Sequence, residues 1–226
     1  MSELSLIICE WHPFHWLSEL FLDLLYPPLC VECERLTKGP PLCLSCYQKI
    51  EYPWQQPSLK LEPLYLDYFY TATLYQKPIT TLIRQMKYKR LAPLAPFAGQ
   101  LLYDSVFLPL PNVVTSVPLH PDRQRWRGFN QSELIAKEFA EQTHKPYCSL
   151  LTRTTYRPNQ ATLKHKQQRL MNLENVFALS SPRELPAHIL IIDDVATTGT
   201  TLNECAKILK QNGVKKVGGL TLSHGF

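Results

Sequence analysis

The chain has 226 residues, an apolar fraction of 45% and a net charge of +5. That is room for one α/β domain with a small appendage, and a mild positive surplus that permits an anionic partner without demanding nucleic acid. No repeat or low-complexity tract occurs, no apolar run reaches the ~20 residues of a membrane span, and no basic start leads to a small-residue cleavage site, so a cytoplasmic location is expected.

In chain order, Leu17, Leu20, Phe21, Leu24 and Leu25 lie on one stripe of a helix over 16–26, which Tyr26-Pro27-Pro28 ends. Cys30 and Cys33 follow as C-V-E-C, then nine residues, then Cys43 and Cys46 as C-L-S-C. Each pair can form a knuckle with both thiolates on one side, and two knuckles complete a tetrahedral site that favours Zn²⁺. Two disulfides or four unrelated thiols are the alternatives, but disulfides are rare in the expected compartment. With four thiolates the site is closed, so its role is structural, worth on the order of 10 kcal/mol of folding free energy to a module over 1–53 too small to fold alone. The second domain, 54–226, is expected to be α/β with a parallel sheet flanked by helices.

Tyr65 to Leu74 reads as a strand, and Ile79, Leu82, Ile83 and Met86 form a helical stripe behind it. Arg84, Lys87, Lys89 and Arg90 cluster at its end beside Tyr88, a basic and aromatic patch that suits an anionic ligand or strand, although most such clusters are solvated surface. Val113 to Val117 is the next buried strand. It runs into P-L-H-P-D-R-Q-R-W-R-G-F-N-Q, where Arg123, Arg125 and Arg127 are placed to neutralise a pyrophosphate and Trp126 or Phe129 to stack a base. A polar loop that merely caps the helix at 131–142 accounts for the same residues equally well. Residues 152–177 then form a long connection with no acid from Thr152 to Asn172, and a basic lid closing over a polyanion is its sharper reading.

The most informative stretch is 187–203, AHILIIDDVATTGTTLN. Ile189 to Ile192 is an uninterrupted apolar run, as in a strand buried on both faces. Asp193 and Asp194 follow it, then a small-residue turn, then Leu202, Cys205, Ala206 and Leu209 at helical spacing. A helix N-terminus holds a phosphate monoester, Thr197, Thr198, Thr200 and Thr201 add hydroxyl donors, and Gly199 lets backbone approach closely. The paired carboxylates can accept hydrogen bonds from vicinal ribose hydroxyls. There is no Gly-Lys-Ser/Thr and only one glycine, which excludes a P-loop and a dinucleotide fingerprint.

DDVATTGTT closely resembles the phosphoribosyl-pyrophosphate (PRPP) motif of type I phosphoribosyltransferases. That resemblance implies ribose contacts from Asp193 and Asp194, and a 5′-phosphate cradle from Ala196, Thr197, Thr198, Gly199, Thr200 and Thr201. L-F-L-D-L-L-Y-P-P-x-C-x-x-C together with VPLHPDRQRWRGFNQ resembles the ComF/GntX family, in which a short Cys₄ zinc module is joined to a phosphoribosyltransferase domain. The lid is similar to the flexible loop of glutamine PRPP amidotransferases, with Gln160 and Arg169 in matching places.

The resemblance implies Mg²⁺ bound with PRPP, pyrophosphate contacts from His120, Arg123 and Arg127, and leaving-group charge from Lys164 and Arg169. It also implies a part in competence: handling of single-stranded DNA, with Arg84, Lys87, Lys89, Arg90, Arg125, Trp126 and Phe129 as the nucleic-acid face, and DNA-uptake or helicase proteins as partners. The alternative is an active phosphoribosyltransferase, acting on an unknown acceptor without touching DNA.

Overall fold

The computed structural model describes residues 28–37, 39–53, 65–105, 109–153, 176–181 and 184–225. The elements are α1 (Leu44–Tyr47), β1 (Tyr68–Leu74), α2 (Ile79–Tyr88), α3 (Ala95–Ser105), β2 (Val113–Ser116), α4 (Pro121–Arg127), α5 (Gln131–Gln142), β3 (Leu151–Arg153), β4 (Phe177–Leu179), β5 (His188–Ala196), α6 (Thr200–Gln211) and β6 (Lys216–His224). The helix expected at 16–26 and the lid residues 154–175, with Lys164 and Arg169, lie outside the described residues.

Alternation along the two longest strands builds the core. Leu190, Ile192, Leu220 and Leu222 pack on one face of the sheet against α2, α3 and α5, while Ile189, Ile191 and Val217 pack on the other against Leu202, Cys205, Ala206 and Leu209 of α6. Burying each such Leu or Ile is worth about 1.5–3 kcal/mol, and covering both faces is what a parallel sheet requires. The four strands are all parallel, in the order β1-β6-β5-β2. Leu74, Ser116, Ala196 and His224 therefore end at one edge, where ligands of open α/β sheets bind. Beyond β2, the Val114 N–H donates to Pro146 O (3.0 Å) and the Cys148 N–H to Val114 O (2.9 Å), which covers that edge strand. β3 and β4 form a separate antiparallel pair.

Two elements differ from the sequence reading. β5 continues through the acid pair to Ala196, because β6 is long enough to pair with it there, Asp193 opposite Thr221 and Ala196 opposite His224. The stretch after His120 is a helix, not a loop. Pro121 sits at its first position, the His120 side chain accepts from the Asp122 N–H, and Gly128 closes it with φ +90°.

The cysteine segment is built onto the β1–α2 corner. Leu29 and Leu36 pair as a short antiparallel bridge around Cys30 and Cys33, and Cys43 caps α1, which carries Cys46. Cys30, Leu42, Cys46 and Ile50 join the apolar cluster of α2 and α3. The Leu74 N–H donates to Glu51 O (2.9 Å), and Lys77 pairs with Glu32 (2.9 Å).

Candidate functional site

The acid pair lies at the carboxyl end of the central strand β5, and consecutive strand residues point to opposite faces. Asp193 is 9% exposed and Asp194 4%. Ser132 Oγ, in the first turn of α5, donates to Asp193 Oδ1 at 2.7 Å. Asn130 places that serine: its Oδ1 accepts from the Ser132 N–H (3.2 Å), and its Nδ2 donates to Val117 O (2.9 Å), tying the helix start to the chain just past β2. Asp194 makes an ion pair with Lys87 of α2. Burial pushes the Asp193 carboxyl up to about 7; the Asp194 charge adds to the rise, and the Ser132 hydroxyl and Lys87 oppose it. Burial works against the Lys87 ammonium, but Asp194 outweighs it and holds the amine above its ordinary value.

Between β5 and α6 the residues from Ala196 to Thr201 line an open cleft with Asp193 at its side. Gly199 is the N-cap of α6 with φ +71°, a conformation in which a side chain is strained, and no side chain caps the helix. The first-turn N–H groups thus face the cleft without a capping side chain. Thr198 and Thr200 join their hydroxyls at 2.7 Å. A dipole end with several donors, next to two carboxylates, matches a ligand with phosphate at one end and a diol at the other.

Cations surround the acids. Arg127, at the end of α4, is 8% exposed and bonds Gln131 Oε1, while Asp194 opposes the lowering that burial imposes on its guanidinium. Arg153, at the end of β3, is lowered by burial and by Arg123, and Asp193 counteracts this. The Nε–H groups of Arg127 and Arg153 are buried without an acceptor, which suits an anionic oxygen.

The Sγ atoms of Cys30, Cys33, Cys43 and Cys46 all lie within 4.8 Å of one another, and those of Cys33 and Cys43 are 3.6 Å apart. The edge of a zinc–sulfur tetrahedron is about 3.8 Å and a disulfide bond about 2.05 Å, so four cysteines are positioned to bind a metal and are not disulfide-bonded.

A profile of the phosphoribosyl transferase domain matches residues 130–223. The chain is 32% identical over 201 residues to Competence protein F of Haemophilus influenzae, covering 84% of this chain and 87% of that protein. The chain belongs to the ComF family. DNA utilization protein YhgH of Escherichia coli K12 is 32% identical over 225 residues, covering 89% of this chain and 92% of the relative. Among solved structures, the glutamine PRPP amidotransferase of B. subtilis aligns at 20% identity with a TM-score of 0.39, over 57% of this chain and 26% of that one.

In this ComF-family chain the residues assigned from sequence fall into two groups. Asp193, Asp194 and Ala196 end β5, Thr197 to Thr201 lead from it into α6, and Arg127 lies near Asp194. His120 caps α4, with Arg123 in the same helix. Arg84, Lys89, Arg90 and Trp126 are on the outside, where the Arg90 guanidinium lies 5.3 Å from the Trp126 ring centroid. Arg84, Tyr88 and Lys89 line a groove along α2. Arg125 pairs with Asp122, and Phe129 is half-buried. Lys87 is turned inward, away from that exterior. Sequence reasoning counted Arg153 only among the basic residues of the 152–177 lid and assigned no site role to Ser132, whose cue was its place two residues after a helix-capping Asn. Among the described residues, no helix is long and apolar enough to cross a membrane.

Proposed function

We propose that this ComF-family chain binds PRPP, or a related phosphorylated ribose, at the β5–α6 turn and handles incoming single-stranded DNA in the cytoplasm during natural transformation. The observation that carries the first half is the buried acid pair at the uncapped start of α6, ringed by Lys87, Arg127 and Arg153. In this reading Asp193 and Asp194 accept from the ribose hydroxyls, and the Thr197–Thr201 turn holds the 5′-phosphate. Arg123, Arg127 and Arg153 neutralise the pyrophosphate, with Lys164 and Arg169 added from the lid. Mg²⁺ bound with the ligand would supply charge neutralisation at the pyrophosphate. Zn²⁺ in the four-cysteine cluster holds the small module onto the β1–α2 corner.

The DNA half draws on the names of the relatives and on the outer face, where Tyr88, Arg90 and Trp126 alternate charge with exposed rings. Such a surface binds strands by stacking and phosphate contact, without reading sequence. DNA-uptake proteins or a helicase are the expected partners. Calorimetry with Mg-PRPP and with single-stranded DNA, separately and then together, tests both halves. Micromolar binding of each is expected, and absence of heat with Mg-PRPP would remove the first.

The buried acid pair next to the uncapped start of α6 favours one second reading, an active transferase. A nucleophile would attack C1′ with loss of pyrophosphate, while the protein positions the ligand and neutralises charge. Acceptor-dependent pyrophosphate release distinguishes it, since a binding module releases none.

A further inference from the structure

Lys87 stands apart from the basic residues around it. Arg84, Lys89 and Arg90 are exposed, whereas its ammonium reaches the end of β5 and pairs with Asp194. Only 22% of the Lys87 side chain and 6% of that of Asp194 is accessible. A buried ion pair is a poor way to add stability, because the desolvation of both charges offsets their attraction. The pairing has a clearer purpose in the chemistry of the site. Two adjacent carboxylates repel each other and repel a phosphorylated sugar, yet the diol needs them as acceptors. Asp193 is met by a neutral hydroxyl from Ser132, so the contacting cation is the one on Asp194.

We infer that Lys87 is the resident counter-cation of the ribose subsite. Its ammonium neutralises Asp194 with one of its three N–H donors and can turn another to a ribose hydroxyl or a phosphate oxygen of the ligand. The inference rests on the phosphorylated-ribose reading above and adds a specific property to it. The ribose 5-phosphate portion is held by protein charges alone, and any demand for a divalent ion comes from the pyrophosphate. Lys87 is thus a positioning residue for Asp194 and a ligand contact. The opposite role, a lock that occupies Asp194 and must be displaced, predicts effects of opposite sign.

Calorimetry of the full chain, with its cysteine site loaded, separates these. The probe is ribose 5-phosphate, in EDTA and then across a Mg²⁺ series, for wild type, Lys87→Met, Lys87→Gln and Lys87→Arg. Wild type should bind about equally well in EDTA and in Mg²⁺. Lys87→Met should lose at least about thirty-fold in EDTA, the usual cost of truncating one partner of a buried charge pair, and recover as Mg²⁺ rises. Lys87→Arg should keep most of the affinity in EDTA. Lys87→Gln retains a donor to Asp194 and should show the same acquired Mg²⁺ dependence if the Met variant does not fold.

Unchanged or tighter binding in the neutral variants overturns the inference. So does an equal loss with and without Mg²⁺, which is the mark of a purely structural role. If wild type binds neither ribose 5-phosphate nor Mg-PRPP, the proposed function itself fails and this inference falls with it. If wild type binds and the Lys87 variants match it, only this inference falls.

Discussion

Ser132 Oγ lies 2.7 Å from Asp193 Oδ1, which joins the first turn of α5 to the end of the central strand. Both residues are buried, at 1% and 9% exposure, so this hydrogen bond to a carboxylate has no water to replace it. Ser132→Ala should cost about 1–3 kcal/mol, the worth of a hydrogen bond to a charged group, since the Asp194 N–H, 2.9 Å from the same Oδ1, stays as its partner. For a chain of this size that is a fall in Tm of roughly 2–4 °C per kcal/mol. Because the serine hydroxyl also opposes the rise at Asp193, the variant should protonate that carboxyl at still higher pH. Urea denaturation across pH checks both effects, and a variant as stable as wild type would show that this hydrogen bond is dispensable.

Asp193 gives the pH dependence an unusual sign. Its carboxyl is raised from 3.8 to about 7 in the folded chain, chiefly by burial and then by Asp194. Between those values the folded state holds a proton that the unfolded state has lost, so the contribution of this group to stability falls as pH rises. Asn at the same position is neutral at every pH and keeps an oxygen for Ser132. Asp193→Asn should therefore match wild type near pH 4, become progressively more stable than wild type up to about pH 7, and stay ahead above it. Affinity for Mg-PRPP should fall in the same variant, since the anionic acceptor is gone. Paired denaturation curves at several pH values read the difference directly, and a constant gap would contradict the assigned shift.

Most of the site was legible because its signals are local. The stripe Ile79, Leu82, Ile83 and Met86 marks α2, the Asn130 cap marks α5, and the Thr turn after an apolar run marks the start of α6. The CxxC spacing indicated the cysteine cluster for the same reason: each knuckle is made by consecutive residues. Illegible were the features that depend on distant partners. Nothing near Lys87 distinguishes it from Arg84 or Lys89; it is turned inward because β5 brings Asp194 to it across the fold. α4 has no apolar stripe to announce it, and Arg127 is buried at its end while Arg125, two residues earlier, is exposed. The length of β5 depends on β6, whose pairing extends past the acids.

Removal of metal from the cysteine cluster should unfold more than the small module. Cys30, Leu42, Cys46 and Ile50 share an apolar cluster with Ile79, Leu82 and Ala98, so loosening the knuckles exposes one side of α2 and α3. Chelation in the presence of a thiol-reactive metal indicator should release one equivalent of zinc. It should also lower the Tm of the entire chain, because metal-binding free energy here is folding free energy. Release of less than one equivalent, or an unchanged Tm, would count against a structural zinc.

The outer face separates stacking from charge. Trp126 is 54% exposed with Arg90 over its ring, and Tyr88 is 64% exposed next to Lys89. If single-stranded DNA tracks this surface, Trp126→Ala removes a stacking platform worth about 1–3 kcal/mol and should weaken binding by the matching factor at every salt concentration. Neutralising Arg84 and Lys89 together should instead flatten the salt dependence, by about 0.7 in the log–log slope for every phosphate that no longer meets a cation. Neither change should alter Mg-PRPP affinity, because these side chains lie outside the cleft lined by Asp193 and Ala196 to Thr201. Fluorescence anisotropy with a labelled oligonucleotide over a salt series reads both parameters. Binding that is unaffected by either variant would place the DNA path elsewhere on the chain.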